Sequence, residues 1–148
     1  MKIRKILVPT DFSTEGERAL AAVVELAVDT RATVVLLHVV ENAGAPPLGG
    51  TFAAPPHLPG TKEELALARQ KLEERRARFP GGVEVVVETL VAPSVAHAIT
   101  DYAVKAGCDV IALSTQGRTG FRRMIVGSIA ESVQRSARVP VLAFPRPA

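Results

Sequence analysis

Apolar positions along this chain change period repeatedly. Residues 3–9 form a short apolar run, and residues 10–14 then turn polar. Leu20, Val23, Val24 and Ala27 recur at the i, i+3, i+4, i+7 spacing of an amphipathic helix, and Thr14 and Glu17 stand ahead of them at capping-box spacing. Residues 32–40 are rich in β-branched side chains and read as a strand covered on both faces. Behind a second capping pair, Thr61 and Glu64, the positions Leu65, Ala68 and Leu72 mark one face of a second helix that Gly81 and Gly82 end. Its other face, with Lys62, Glu63, Arg69, Glu73 and Arg76, reads as solvated. Residues 83–91 supply a third strand. Pro93 and Ser94 open a third helix with Val95, Ala98, Ile99, Tyr102, Ala103 and Ala106 on its buried face, and Gly107 is its left-handed terminator. Residues 109–114 form a fourth strand, a Ser128/Glu131 capping box starts a fourth helix reaching about residue 138, and residues 139–144 form a fifth strand.

Strict alternation of strands and helices predicts a Rossmann-like three-layer α/β sandwich: a parallel sheet with right-handed crossovers and helices on both faces. If the winding reverses after the third strand, the sheet order is 3-2-1-4-5 and the first and fourth strands are neighbours. Ligands of such sheets bind at that reversal, beyond the carboxyl ends of the two strands. Residues 9–11 and 114–120 meet there. No internal repeat or linker interrupts the chain, so residues 1–148 read as one domain. Within it, residues 41–60 carry five prolines and four glycines without periodicity and read as a flexible loop.

The composition narrows the function classes. Of 148 residues, 47% are apolar and 22% charged, which is a globular balance. No apolar run approaches the roughly 20 residues of a membrane span, and the start of the chain lacks a signal-peptide pattern. The one cysteine, Cys108, reads as a small buried residue; it excludes an internal disulfide framework and leads to a cytoplasmic expectation. A net charge of +3 with 4% aromatics and no Trp disfavours a nucleic-acid partner. His38 lies in an apolar strand and reads as a satisfied core residue; with His57 and His97 it forms no metal-binding or catalytic spacing.

The informative chemistry lies in residues 113–128. Glycines at 117, 120 and 127 allow close approach of backbone to a ligand, and successive N–H groups can form an anion nest. Gly127-Ser128 then opens a helix whose free N–H groups attract phosphate, while Arg118, Arg122 and Arg123 add donors. Ser128 also reads simply as an N-cap. No Walker lysine and no G-x-G-x-x-G are present, so dedicated phosphoryl-transfer parts are missing.

These residues resemble the universal stress protein family over essentially the whole chain. Residues 6–13 are similar to the family's opening, and Gly117 through Gly120, Gly127-Ser128 and residues 139–142 to its carboxyl-terminal half. The ATP-binding branch carries G-x2-G-x9-G-S/T; Gly117, Gly127 and Ser128 match it, whereas Ser114 replaces the first glycine and Gln116 a frequent histidine. If position 114 required a positive φ, serine would cost roughly 1–2 kcal/mol there.

The resemblance implies an adenine nucleotide alpha hydrolase-like fold and ATP as ligand, with Mg2+ held through its phosphates. Pro9, Thr10 and Asp11 would line the adenine–ribose end, and Val39 would pack against the base. Leu113 and Ser114 would approach the ribose. Thr115, Gln116, Gly117, Arg118, Thr119 and Gly120, with Gly127, Ser128 and Ile129, would surround the phosphates. The resemblance also implies a homodimer through residues 139–144, whose two apolar faces would otherwise form an aggregation-prone edge. The expected role is nucleotide-responsive regulation in stress without efficient catalysis. The alternatives are a nucleotide-free dimeric interaction module of the same family and a slow ATP hydrolase.

Overall fold

The computed structural model describes residues 1–42, 60–115 and 127–145. Five strands, β1 (Lys5–Pro9), β2 (Thr33–Glu41), β3 (Val85–Ala92), β4 (Val110–Ser114) and β5 (Val141–Phe144), alternate with four helices, α1 (Thr14–Thr30), α2 (Lys62–Arg76), α3 (Val95–Lys105) and α4 (Ser128–Ser136). The strands form one parallel sheet in the order β3-β2-β1-β4-β5, the expected arrangement. Most of the expected 41–60 loop lies outside the described residues.

Alternating side chains of each strand feed two cores. Ile6, Val8, Val34, Leu36, Val85 and Val87 pack with Leu20, Val23 and Ala27 of α1 and Leu72 of α2. On the other face Leu7, Val35, Leu37, Ile111 and Leu113 pack with Ile99 and Ala103 of α3 and Ala130 and Val133 of α4. A sheet covered on both sides explains why its strands are apolar at nearly every position. The sheet edge opposite the reversal site is tied separately: Asp109 accepts the Arg4 and Lys5 N–H groups at 2.7 and 2.9 Å. Those two bonds hold its carboxyl below the ordinary carboxylate range.

Helix boundaries depart from the sequence reading in three places. The cap of α1 is Ser13, whose side chain accepts the Gly16 N–H, so the Thr14/Glu17 capping box does not form. The cap of α4 is Gly127, with no side-chain cap bond, and Ser128 is already helical, so the Ser128/Glu131 box does not form either. Helix α2 ends at Arg76, before Gly81: Phe79 turns into the core at 8% exposure and precedes Pro80, which disfavours helical geometry. The Thr61 cap is observed, with its hydroxyl accepting the Glu64 N–H at 3.2 Å, and the Glu64 carboxylate accepts the Gly60 N–H at 2.7 Å. Ser94 caps α3 as expected, and Gly107 carries a φ of 65° just beyond it.

Candidate functional site

The reversal falls between β1 and β4, which pair through Ile6 with Val110 and Leu7 with Ile111. Beyond β1, Thr10 is held at both ends by β2. Its N–H donates to the Leu37 carbonyl at 2.9 Å, and its own carbonyl accepts the Nδ1–H of His38 at 2.8 Å. Since a carbonyl only accepts, that bond fixes the proton on Nδ1. Thr10 Oγ1 takes the Phe12 N–H at 3.1 Å and Asp11 Oδ1 takes the Ser13 N–H at 2.9 Å. Each side chain thus binds the backbone two residues on, the bonding of a tight polar turn. Pro9, Thr10 and Asp11 are half-buried at its surface.

Phe12 occupies the left-handed region at φ 63°, which costs a residue with a Cβ roughly 1–2 kcal/mol. Its ring packs on the α1/α2 core and lies 4.4 Å from the His38 ring, tilted by 32°. The Lys71 ammonium and the Arg75 guanidinium, both from α2, stand 5.2 and 4.8 Å from its centroid, within cation–π reach. Arg75 in turn pairs with Glu17 at 2.5 Å, and Arg78 binds the same carboxylate. Burial draws the Arg75 guanidinium below its ordinary value, against the opposing pull of the Glu74 and Asp11 carboxylates.

Beyond β4, Thr115 is 7% exposed and donates its N–H to the Phe144 carbonyl of β5 at 3.2 Å. Its carbonyl accepts the Gly127 N–H, so the start of α4 is fastened to the end of β4. The Gly127 carbonyl receives the first helical bond from Glu131 at 2.9 Å. Ser128 and Ile129 of the first turn are exposed, and Glu131 is paired with Arg135 at 2.5 Å. A helix start without a side-chain cap, at the carboxyl edge of a sheet, presents N–H groups and a positive dipole end to an anion.

The structure therefore brings Pro9, Thr10, Asp11, Leu113, Ser114, Thr115, Gly127, Ser128 and Ile129 to the end of the sheet where β1 and β4 meet. Val39 lies at the carboxyl end of β2, 8% exposed, as a member of the α3/α4 core. Gln116, Gly117, Arg118, Thr119 and Gly120 lie outside the described residues, as do Arg122 and Arg123. Ser114 is extended within β4; among the described non-glycine residues only Phe12 and Arg31 have positive φ, so the strain considered for Ser114 is not incurred.

Residues missed in the sequence reading are Phe12, Lys71, Arg75 and Glu17. A signal existed for the two cations: positions 71 and 75 continue the Ala68/Leu72 stripe of α2, so their stems are packed rather than solvated. His38 is satisfied, as expected, but by a residue of the site. Cys108 is buried, and burial pushes its thiol up, away from reactivity. Two clefts of about 670 and 340 Å3 flank β3 and do not adjoin the reversal. Among the described residues no helix is long and apolar enough to cross a membrane.

The family model described as "Universal stress protein family" matches residues 2–145. A universal stress protein of Methanocaldococcus jannaschii is 31% identical over 147 residues, covering 97% of this chain and 83% of its own. The solved structure of UspA from Lactobacillus plantarum superposes with a TM-score of 0.77 at 22% identity, covering 97% of this chain and 99% of that one. A universal stress protein from Archaeoglobus fulgidus, solved in complex with dAMP, gives 0.66 at 23% identity and covers 97% and 98%. Another universal stress protein, solved with cAMP, gives 0.67 at 16% identity, with 98% of each chain covered. The solved structures share the fold.

Proposed function

The chain belongs to the universal stress protein family, and from that premise we propose that it binds ATP where β1 and β4 part, as a nucleotide-responsive regulator in the stress response rather than an efficient catalyst. The observation that carries this reading is the start of α4. Gly127 caps the helix without a side chain and is bonded to Thr115, across the sheet end from the Thr10-Asp11 turn. The dAMP and cAMP complexes of two proteins with this fold support an adenine nucleotide as ligand class.

In this reading Asp11 accepts a hydrogen bond from the adenine amino group or a ribose hydroxyl. Pro9, Thr10 and Val39 border the base, and Leu113 and Ser114 the ribose. Thr115 to Gly120, with Gly127, Ser128 and Ile129, surround the phosphates. Among the described residues no group of three His, Cys, Asp or Glu side chains is arranged to hold a metal, so Mg2+ would be carried by the phosphates themselves. The edge strand β5 would pair with a second copy through residues 139–144, because Val141, Leu142 and Phe144 remain only half-buried there. A cytoplasmic setting accords with the single reduced cysteine.

Ser114, standing where the ATP-binding branch has its first glycine, supports the second reading, a nucleotide-free dimeric interaction module. Equilibrium dialysis against labelled ATP, AMP and cyclic AMP, with and without magnesium, separates the two. Saturable ATP binding at cellular concentration is expected. No saturable binding by any of the three nucleotides would leave the interaction module, and sustained phosphate release would favour the slow hydrolase.

A further inference from the structure

Resting on the adenine-nucleotide reading, we infer that Phe12 is a positioning residue for base recognition: His38, Lys71 and Arg75 lock its ring, and the locked ring fixes Thr10 and Asp11 in the orientation that selects adenine.

Three observations lead there. The first is the backbone of Phe12, held at φ 63°, a conformation that glycine adopts freely and side chains bearing a Cβ resist. Such an outlier persists only where the surroundings over-determine it. The second is the set of contacts that do so: the His38 ring at 4.4 Å, Arg75 at 4.8 Å and Lys71 at 5.2 Å, together with the α1/α2 core. The third is that one imidazole grips both neighbours of Asp11. His38 donates Nδ1–H to the Thr10 carbonyl and packs on the Phe12 ring, so residues 10 and 12 are bracketed by the same side chain. Asp11 between them has Oδ1 committed to the Ser13 N–H at 2.9 Å. The carboxylate cannot swing without breaking that bond.

The lock reaches beyond the turn. Arg75 belongs to α2 and is held by Glu17 of α1, so the two helices of one layer set the turn between them. Of the two bonds open to Asp11, the lock acts on the one to the base: at the six position adenine carries an amino group and guanine a carbonyl, so a carboxylate facing that position accepts from the first and is repelled by the second. A carboxylate fixed in direction discriminates between them; one that can rotate away from the carbonyl edge discriminates less.

The test uses the full chain and measures ATP and GTP binding by equilibrium dialysis for the native protein, Phe12→Gly and Phe12→Tyr. Phe12→Gly keeps the left-handed backbone but removes the ring. It is expected to weaken ATP binding about tenfold and to shrink the ATP-over-GTP preference by a similar factor. Phe12→Tyr keeps the aromatic face and is expected to restore both to within about twofold. A purely structural role would lower the melting temperature without changing the nucleotide preference of the folded fraction. Native affinity and native preference in Phe12→Gly would overturn the inference while leaving the ATP reading intact. Failure of the native protein to bind ATP would overturn both. A measurement without nucleotide guards against an unfolded variant: in His38→Ala, exchange of the Ser13 amide should rise about tenfold while that of Val23 in α1 stays native. An unchanged Ser13 rate would overturn the lock itself.

Discussion

Helices α1 and α4 both begin at the carboxyl edge of the sheet, on opposite faces, and they treat their first N–H groups differently. The start of α1 is served by its own chain: Ser13 accepts the Gly16 N–H at 3.3 Å, and Thr10 and Asp11 take the Phe12 and Ser13 N–H groups that lead into the helix. The start of α4 has a glycine in the cap position, and among the described residues no side chain is seen to cap it. Every helix start needs acceptors for its orphan donors, and a serine or aspartate cap supplies one at no cost in specificity. A helix that forgoes that cap at a ligand-binding edge is less stable alone and better suited to an anion. The contrast separates a helix whose start is capped by its own chain from one that begins on a glycine, where the proposed nucleotide phosphates would lie.

Giving α4 the cap that α1 has should produce the largest effect. Gly127 has a φ of −66°, so a side chain fits its backbone. Gly127→Asp is expected to raise stability by about 0.3 kcal/mol through the new cap. It should also weaken ATP binding by about 100-fold, since its charge sits where the phosphates would. Urea unfolding and dialysis on the same preparation read the two opposite signs; a variant that binds ATP natively would show that α4 is not the phosphate site.

Taking the cap from α1 is the converse. Ser13→Ala should cost about 1 kcal/mol in urea unfolding and alter ATP affinity by less than about threefold. A loss of binding as large as that of Gly127→Asp would erase the division of labour between the two helix starts.

The smallest expected effect concerns Glu131, which lies in the first turn of α4 and is paired with Arg135. Its negative charge favours the helix dipole but opposes an arriving phosphate. Glu131→Gln should lower stability by about 0.5 kcal/mol and tighten ATP binding about twofold. Tighter binding without loss of stability would mean that the carboxylate serves only as a repulsive group.

The same two helix starts show what was legible in the sequence. Period and alternation are enough for the five strands, the four helices and their sequence along the chain, because each element buries its own stripe; the sheet order needs the further condition that the winding reverses after the third strand. The caps were displaced by one residue at both α1 and α4. In each case a hydroxyl residue stood next to the true cap, and the choice between them is made by partners far along the chain. For α4, the Thr115 carbonyl binds the Gly127 N–H and so determines where the helix begins. The end of α2 was misplaced because Phe79 is drawn into a core that local propensity does not contain. Of the site, the Thr10-Asp11 turn and the Gly127-Ser128 helix start were readable from topology. The left-handed Phe12 was not, since the groups that hold it come from positions 38, 71 and 75, and no local pattern joins them.

The bond between Thr115 and Gly127 has a consequence for how this fold can vary. It closes the base of the connection made by residues 116–126, so the chain leaves and re-enters the sheet edge at one fixed point. The entropic cost of a longer closed connection grows only logarithmically. The mutual placement of α4 and β4 is set at that one backbone bond, between residues 115 and 127 themselves. The first turn of α4 thus moves with the sheet as one piece, and a change that shifts the end of β4 would be transmitted directly to the helix start.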